Sequence, residues 1–254
     1  MLREIQQLLP HEDLLYIADS AFAPYGNKPL EFIRQRCHDL SQFLLTQHAK
    51  AIVIACNTAT AAAAGSLRQQ FCIPIIAMEP GVKPAIAATL TGVVGVLATE
   101  NTLTSQQFTS LLHRYAANVK VVSQPCPGLV EQIEAGAFDA EETRRLIERF
   151  TAPLLAAEAD TIVLGCTHYP LIRQQIADVV GANISIIETG RAVAQQLRYK
   201  LQEQQMLSTT TTAGTACYWT SGDTQHIIEV SSRLLAETVK VQRLPEELVD
   251  GQSR

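Results

Sequence analysis

Lysine is scarce in this 254-residue chain: six residues (Lys28, Lys50, Lys83, Lys120, Lys200 and Lys240), none of them in the two cysteine segments described below. That scarcity argues against a Schiff base with pyridoxal phosphate at those segments, so no cofactor is expected. There is no dense Lys/Arg stretch either, and the net charge of −5 argues against a nucleic-acid binder. No run of about 20 apolar residues could span a membrane. The opening "MLREIQQLLPHEDL" is charged too early for a secretory leader, which makes a cytoplasmic protein the expectation. CxxC is absent, and Cys166 with His168 is too tightly spaced for the usual zinc patterns, so no metal is expected. The six cysteines (Cys37, Cys56, Cys72, Cys126, Cys166 and Cys217) are then expected to be reduced thiols.

What the chain does have is a matched pair. "TIVLGCTHYPL" (161–171) is an aliphatic run ending on Cys166, Thr167 and His168. "AIVIACNTATA" (51–61) repeats the arrangement with Cys56, Asn57 and Thr58. A buried cysteine is more often packing than chemistry, and Cys37, Cys72, Cys126 and Cys217 are read as structural for that reason. Each member of the pair, however, sits where a strand should hand over to a helix. There the helix dipole favours thiolate, and following N–H and hydroxyl donors suit a carboxylate. Two thiols on opposite faces of one carbon could invert it, one as base and the other as acid, because a thiol pKa near 8.5 lies close to neutrality.

Apolar runs at 14–18, 52–55, 75–78, 93–98, 119–122, 162–164, 184–187, 216–220 and 239–243 read as strands. Stretches 31–48, 102–116, 141–158 and 190–206 carry helical periodicity. Uninterrupted aliphatic strands alternating with helices imply an α/β fold with mostly parallel sheets. Pro80, Gly81 and Pro84 suggest a crossing between lobes, and "IIETGRA" (186–192) a return. The expected division is a first lobe of 1–82 plus 190–254, carrying Cys56, and a second of 83–189, carrying Cys166.

"ACNTA" (55–59) and "LGCTHYPL" (164–171) resemble the two cysteine signatures of the glutamate racemase family, within the aspartate/glutamate racemase superfamily. "ADSAFAPYG" (18–26), "PGVKPA" (80–85), "GVVGVLAT" (92–99), "GLVEQIEAG" (128–136) and "YWTSGD" (218–223) extend the resemblance along the chain. It implies two pseudo-symmetric α/β lobes with the active site in the cleft between them. It also implies cofactor-independent interconversion of L- and D-glutamate, supplying D-glutamate for peptidoglycan. Cys56 and Cys166 then correspond to the two acid/base residues, and His168 and Glu131 to positions that assist them. Tyr25, Gly26, Asn57, Thr58, Thr167 and His168 correspond to substrate contacts. Glutamate is the expected partner, with neither nucleic acid nor membrane involved, and a homodimer is compatible with the resemblance.

Three departures qualify the transfer. "IETG" (187–190) stands where Asp/Ser-Gly is typical, and Asn101 stands where the family has a glycine, suggesting a left-handed residue there. The family also opens with a strand and a "DSGxGGL" turn before a helix resembling "VLREIxxxLP", whereas this sequence starts at "MLREIQQLLP". The expectation is that Met1 is an internal valine codon, GTG, read as a start. The competing readings are a racemase for another acidic amino acid, such as aspartate, and an inactive binding remnant.

Overall fold

The computed structural model describes residues 1–235 and 238–249. In chain order the elements are α1 (Leu2–Leu8), β1 (Leu14–Ala18), α2 (Leu30–Thr46), β2 (Ile52–Val53), α3 (Asn57–Gln70), β3 (Ile75–Ile76), α4 (Val82–Ala88) and β4 (Val93–Ala98). They continue with α5 (Glu100–Leu103), α6 (Gln106–Tyr115), β5 (Lys120–Pro125), α7 (Leu129–Glu134), α8 (Glu141–Ala156), β6 (Thr161–Leu164), α9 (Arg173–Val180) and β7 (Ser185–Ile187). The last are α10 (Gly190–Glu203), β8 (Ala216–Thr220), α11 (Thr224–Leu235), β9 (Val241–Arg243) and α12 (Glu246–Val249). Every strand pairing among the described residues is parallel, as the α/β pattern requires.

Two compact units emerge. One comprises Met1–Ile54, Ala62–Ala77 and Gly190–Arg254; the other comprises Ala55–Ala61 and Met78–Thr189. The first unit holds two sheets, β1-β8-β9 and β2-β3, with no pairing between them among the described residues. The second holds one sheet in the order β5-β4-β6-β7. Its central strands are the aliphatic runs "VVGVLA" and "TIVL", and both are buried nearly throughout. Val94, Val96 and Ala98 pack with Val163 against Val82 and Ala85 of α4 and Phe108 and Leu111 of α6. On α8, Leu154 lies so close to β4 that a Cβ on Gly95 would come within 2.6 Å of its Cδ1. Helices thus cover both faces, which is why the strands show no polar alternation.

All nine expected strands form, some with shifted ends. The helical stretch 102–116 becomes two helices, because Thr99 and Ser105 each accept a backbone N–H as N-caps of α5 and α6. The left-handed conformation expected at Asn101 is not adopted, since that residue lies inside α5. The division also differs from the expected one. Residues 55–61, with Cys56, group with the second unit because hydrogen bonds from Asn57, to Ala55 and between Thr58 and two threonines of the second unit hold them there.

Asp160, just before β6, fastens the 89–91 turn. Its carboxylate accepts Thr89 Oγ1 (2.6 Å), Leu90 N (2.6 Å), Thr91 N (2.8 Å) and Thr161 Oγ1 (3.0 Å). Partial burial alone would raise its pKa, but these donors outweigh it and hold the group down at about 2. The stability it contributes is present above the unfolded carboxylate pKa of about 4 and is lost as pH falls through about 2. Asp160→Ala should therefore lower unfolding stability by about 2 kcal/mol at neutral pH in urea titrations. The deficit against wild type should shrink in the acid range.

Candidate active site

The two cysteines lie at corresponding places. Beyond β6 the chain runs Gly165–Cys166–Thr167–His168 into a 3-10 turn, Tyr169–Ile172. Beyond β2 it runs Ile54–Ala55–Cys56 into α3. Cys56 acts as the N-cap: its carbonyl accepts Thr60 N at 2.9 Å, and its Sγ lies 3.5 Å from Ala59 N. Gly165 continues the ladder beyond β6 by donating to Leu97 O at 2.7 Å. Only glycine fits there, because a Cβ would stand 2.9 Å from both Leu97 O and Ala98 Cβ.

Two hydrogen bonds join the segments. Asn57 Nδ2 donates to Gly165 O at 2.8 Å, and Thr167 Oγ1 donates to Ala55 O at 2.9 Å. The residues flanking Cys56 are thereby bonded to the residues flanking Cys166, which holds the thiols as neighbours within one unit. Both thiols are substantially sequestered, with Cys166 buried and Cys56 half-buried. Desolvation and the nearby Cys166 charge, only partly offset by the Ala59 N–H, push the Cys56 thiol up to about 11. Cys56 therefore rests as a proton donor near neutrality.

Cys166 has a basic partner. His168 Nδ1 lies 3.7 Å from its Sγ, and His168 Nε2 pairs with Glu134 Oε1 on α7. Burial would depress the imidazole, yet Cys166 and Glu134 outweigh it and raise the pKa to about 10. Glu131, expected in this role, is exposed one helical turn earlier, and Glu134 carries the contact instead. Both belong to "LVEQIE", so the motif located the helix but not the residue that faces His168.

The sequence reading also missed Thr99 and Thr102. Thr58 Oγ1 lies 2.8 Å from Thr99 Oγ1 and 3.1 Å from Thr102 Oγ1, and those two are 3.0 Å apart. Three mutually bonded hydroxyls beside the start of α3 can redirect their protons toward an anion. The signal was present in "ATENTLT", where Thr99 follows the buried strand β4 and caps α5, and Thr102 lies three residues on, inside that helix. Asn57 is 4% exposed, and its Oδ1 has no hydrogen-bond partner among the described residues. The remaining expected residues, Tyr25 and Gly26, lie in the first unit on a 3-10 turn, Tyr25–Asn27, where Tyr25 Oη donates to Asp19. Among the described residues no His/Cys/Asp/Glu cluster suited to a metal ion occurs, and no helix is long and apolar enough to cross a membrane.

The profile of the Asp/Glu/Hydantoin racemase family matches residues 1–197. The chain belongs to that family. It is 53% identical over 242 residues to a glutamate racemase of Ectopseudomonas mendocina (strain ymp), covering 95% of this chain and 92% of the relative. The crystal structure of a glutamate racemase isoform from Bacillus anthracis superposes with a TM-score of 0.87 at 31% identity, covering 96% of this chain and 92% of that one. Escherichia coli glutamate racemase, crystallised with L-glutamate and the activator UDP-MurNAc-ala, gives a TM-score of 0.85 at 26% identity over the same shares of the two chains. These likenesses bear out the α/β fold with parallel sheets and the kinship suggested by the cysteine segments.

Proposed function

We propose that this chain is a cofactor-independent glutamate racemase, an isomerase that supplies D-glutamate for peptidoglycan synthesis. The observation that carries this reading is the pair of strand-end thiols, Cys56 and Cys166, held side by side through Asn57–Gly165 and Thr167–Ala55 hydrogen bonds. One sulfur removes the α-proton of glutamate while the other delivers a proton to the opposite face, and in the reverse direction they exchange roles. Cys56, its thiol raised by burial, is the group that rests protonated. His168, backed by Glu134, manages the proton on Cys166.

The remaining groups bind and stabilise. The unpartnered Oδ1 of Asn57 is a buried acceptor, costly when left unsatisfied, and the α-ammonium of the substrate supplies its donor. The Thr58, Thr99 and Thr102 hydroxyls offer donors to the α-carboxylate as negative charge develops on the reacting carbon, and Thr167, whose hydroxyl proton is committed to Ala55 O, contributes its backbone N–H. By the family resemblance, Tyr25 and Gly26 of the first unit are substrate contacts.

A solvent-deuterium wash-in assay tests this directly. L- or D-glutamate incubated with the chain in D2O should gain α-deuterium and lose optical purity, as resolved by chiral chromatography. Retention of the α-proton would leave only a binding protein. L-Aspartate run in parallel addresses the second reading, because the thiol pair constrains Cα chemistry more than side-chain length. Gly165→Ala offers a geometric check. The added methyl must displace the end of β6 and with it Cys166, so kcat should fall on the order of 10²-fold while circular dichroism stays unchanged.

A further inference from the structure

In the first unit, a buried ion pair stands directly behind the Tyr25–Gly26 turn. Asp19 follows the end of β1, and Arg36 lies on α2; their side chains are 10% and 4% exposed. The guanidinium grips the carboxylate with two donors: Nε to Oδ2 at 3.1 Å, and Nη2 to Oδ1. Its Nη1 donates to Leu248 O at 2.7 Å, and its Cζ lies 4.3 Å from the centroid of the Phe22 ring. The donors of Arg36 point into protein, so it is no direct ligand for an anion. Asp19 Oδ2 also accepts the Tyr25 hydroxyl, and Asp19 O accepts Phe22 N (3.1 Å) and Ala23 N (3.0 Å). The phenol proton is thus committed to Asp19, and what the turn can offer a ligand is its ring and its backbone N–H groups.

We infer that Arg36 and Asp19 are positioning residues for substrate: Asp19 fixes the Tyr25–Gly26 turn, and Arg36 cancels the Asp19 charge so that an anionic substrate can approach it. The inference rests on the reading that this turn contacts glutamate. A buried ion pair is weak evidence of net stabilisation, since apolar side chains of similar volume often serve as well. A carboxylate behind a site for a dicarboxylate would be counterproductive unless neutralised, and a bidentate guanidinium does that while fixing the geometry.

The test is a KM-against-kcat comparison for L- and D-glutamate across four variants. Arg36→Met exposes the turn to an uncompensated Asp19, and KM should rise about tenfold in both directions with kcat within about threefold of wild type. Arg36→Met combined with Asp19→Asn removes the stranded charge and should return KM to within about threefold of wild type. Arg36→Lys retains the charge without the fork and should fall between; it carries the test alone if Arg36→Met does not fold. Tyr25→Ala probes the underlying reading, and an unchanged KM there would refute contact between turn and substrate. A raised KM in Tyr25→Ala with wild-type KM in a folded Arg36→Met, or in Arg36→Lys if that variant alone folds, would overturn the present inference only. A loss of kcat at constant KM in Arg36→Met, or no recovery in the double variant, would overturn it as well.

Discussion

Cys56→Ser and Cys166→Ser should each abolish racemisation, with losses of about 10²–10⁴-fold or more in kcat for both enantiomers. Serine keeps the shape of the side chain but raises the pKa of the acid so far that it can neither give nor take a proton at a useful rate. The two variants should nevertheless differ from each other. Each retains one sulfur on one face of the α-carbon, so each can exchange the α-proton of one enantiomer with solvent without inverting it. Deuterium wash-in with L- and D-glutamate should therefore show opposite enantiomer preferences in the two variants. Full racemase activity in Cys166→Ser would defeat the two-base assignment. Identical preferences in both variants would place the two thiols on the same face.

This expectation was readable from the sequence because its carriers are local. A strand that ends on cysteine, followed by Asn-Thr or Thr-His, specifies its own geometry through the strand-to-helix turn. The strands were legible for the same reason: uninterrupted aliphatic runs such as "VVGVLA" and "TIVL" belong to a sheet covered on both faces. What escaped depended on contacts between distant segments. Thr99 and Thr102 gain meaning only when Thr58 is brought against them. Placing Cys56 with the second unit follows from the Asn57–Gly165 and Thr167–Ala55 bonds, which no spacing in the sequence foretells. Glu131 and Glu134 lie three residues apart on one helix, so the motif alone left the choice to helical phase. The break within 102–116 was a local signal, the Ser105 cap, outweighed in the reading by continuous helical periodicity.

The choice between those two glutamates has a measurable consequence in pH. His168 has its pKa raised to about 10, against about 6.5 in an unfolded chain, by Cys166 and Glu134 acting against burial. The stability that this pairing contributes is fully present below about pH 6.5 and is lost as pH rises through about 10. Catalysis that uses charged His168 to manage the Cys166 proton should lose activity along the same alkaline limb. Glu134→Gln keeps the side chain's size and removes the charge that faces Nε2. Its kcat/KM profile should therefore bend downward at lower pH than wild type, by about one unit or more. Its stability advantage at neutral over alkaline pH should narrow as well. Glu131→Gln, altering an exposed carboxylate one turn away, should leave the alkaline limb in place. If Glu131→Gln moves that limb and Glu134→Gln does not, the partner of His168 in the working enzyme is Glu131, and the proton path through Glu134 is wrong.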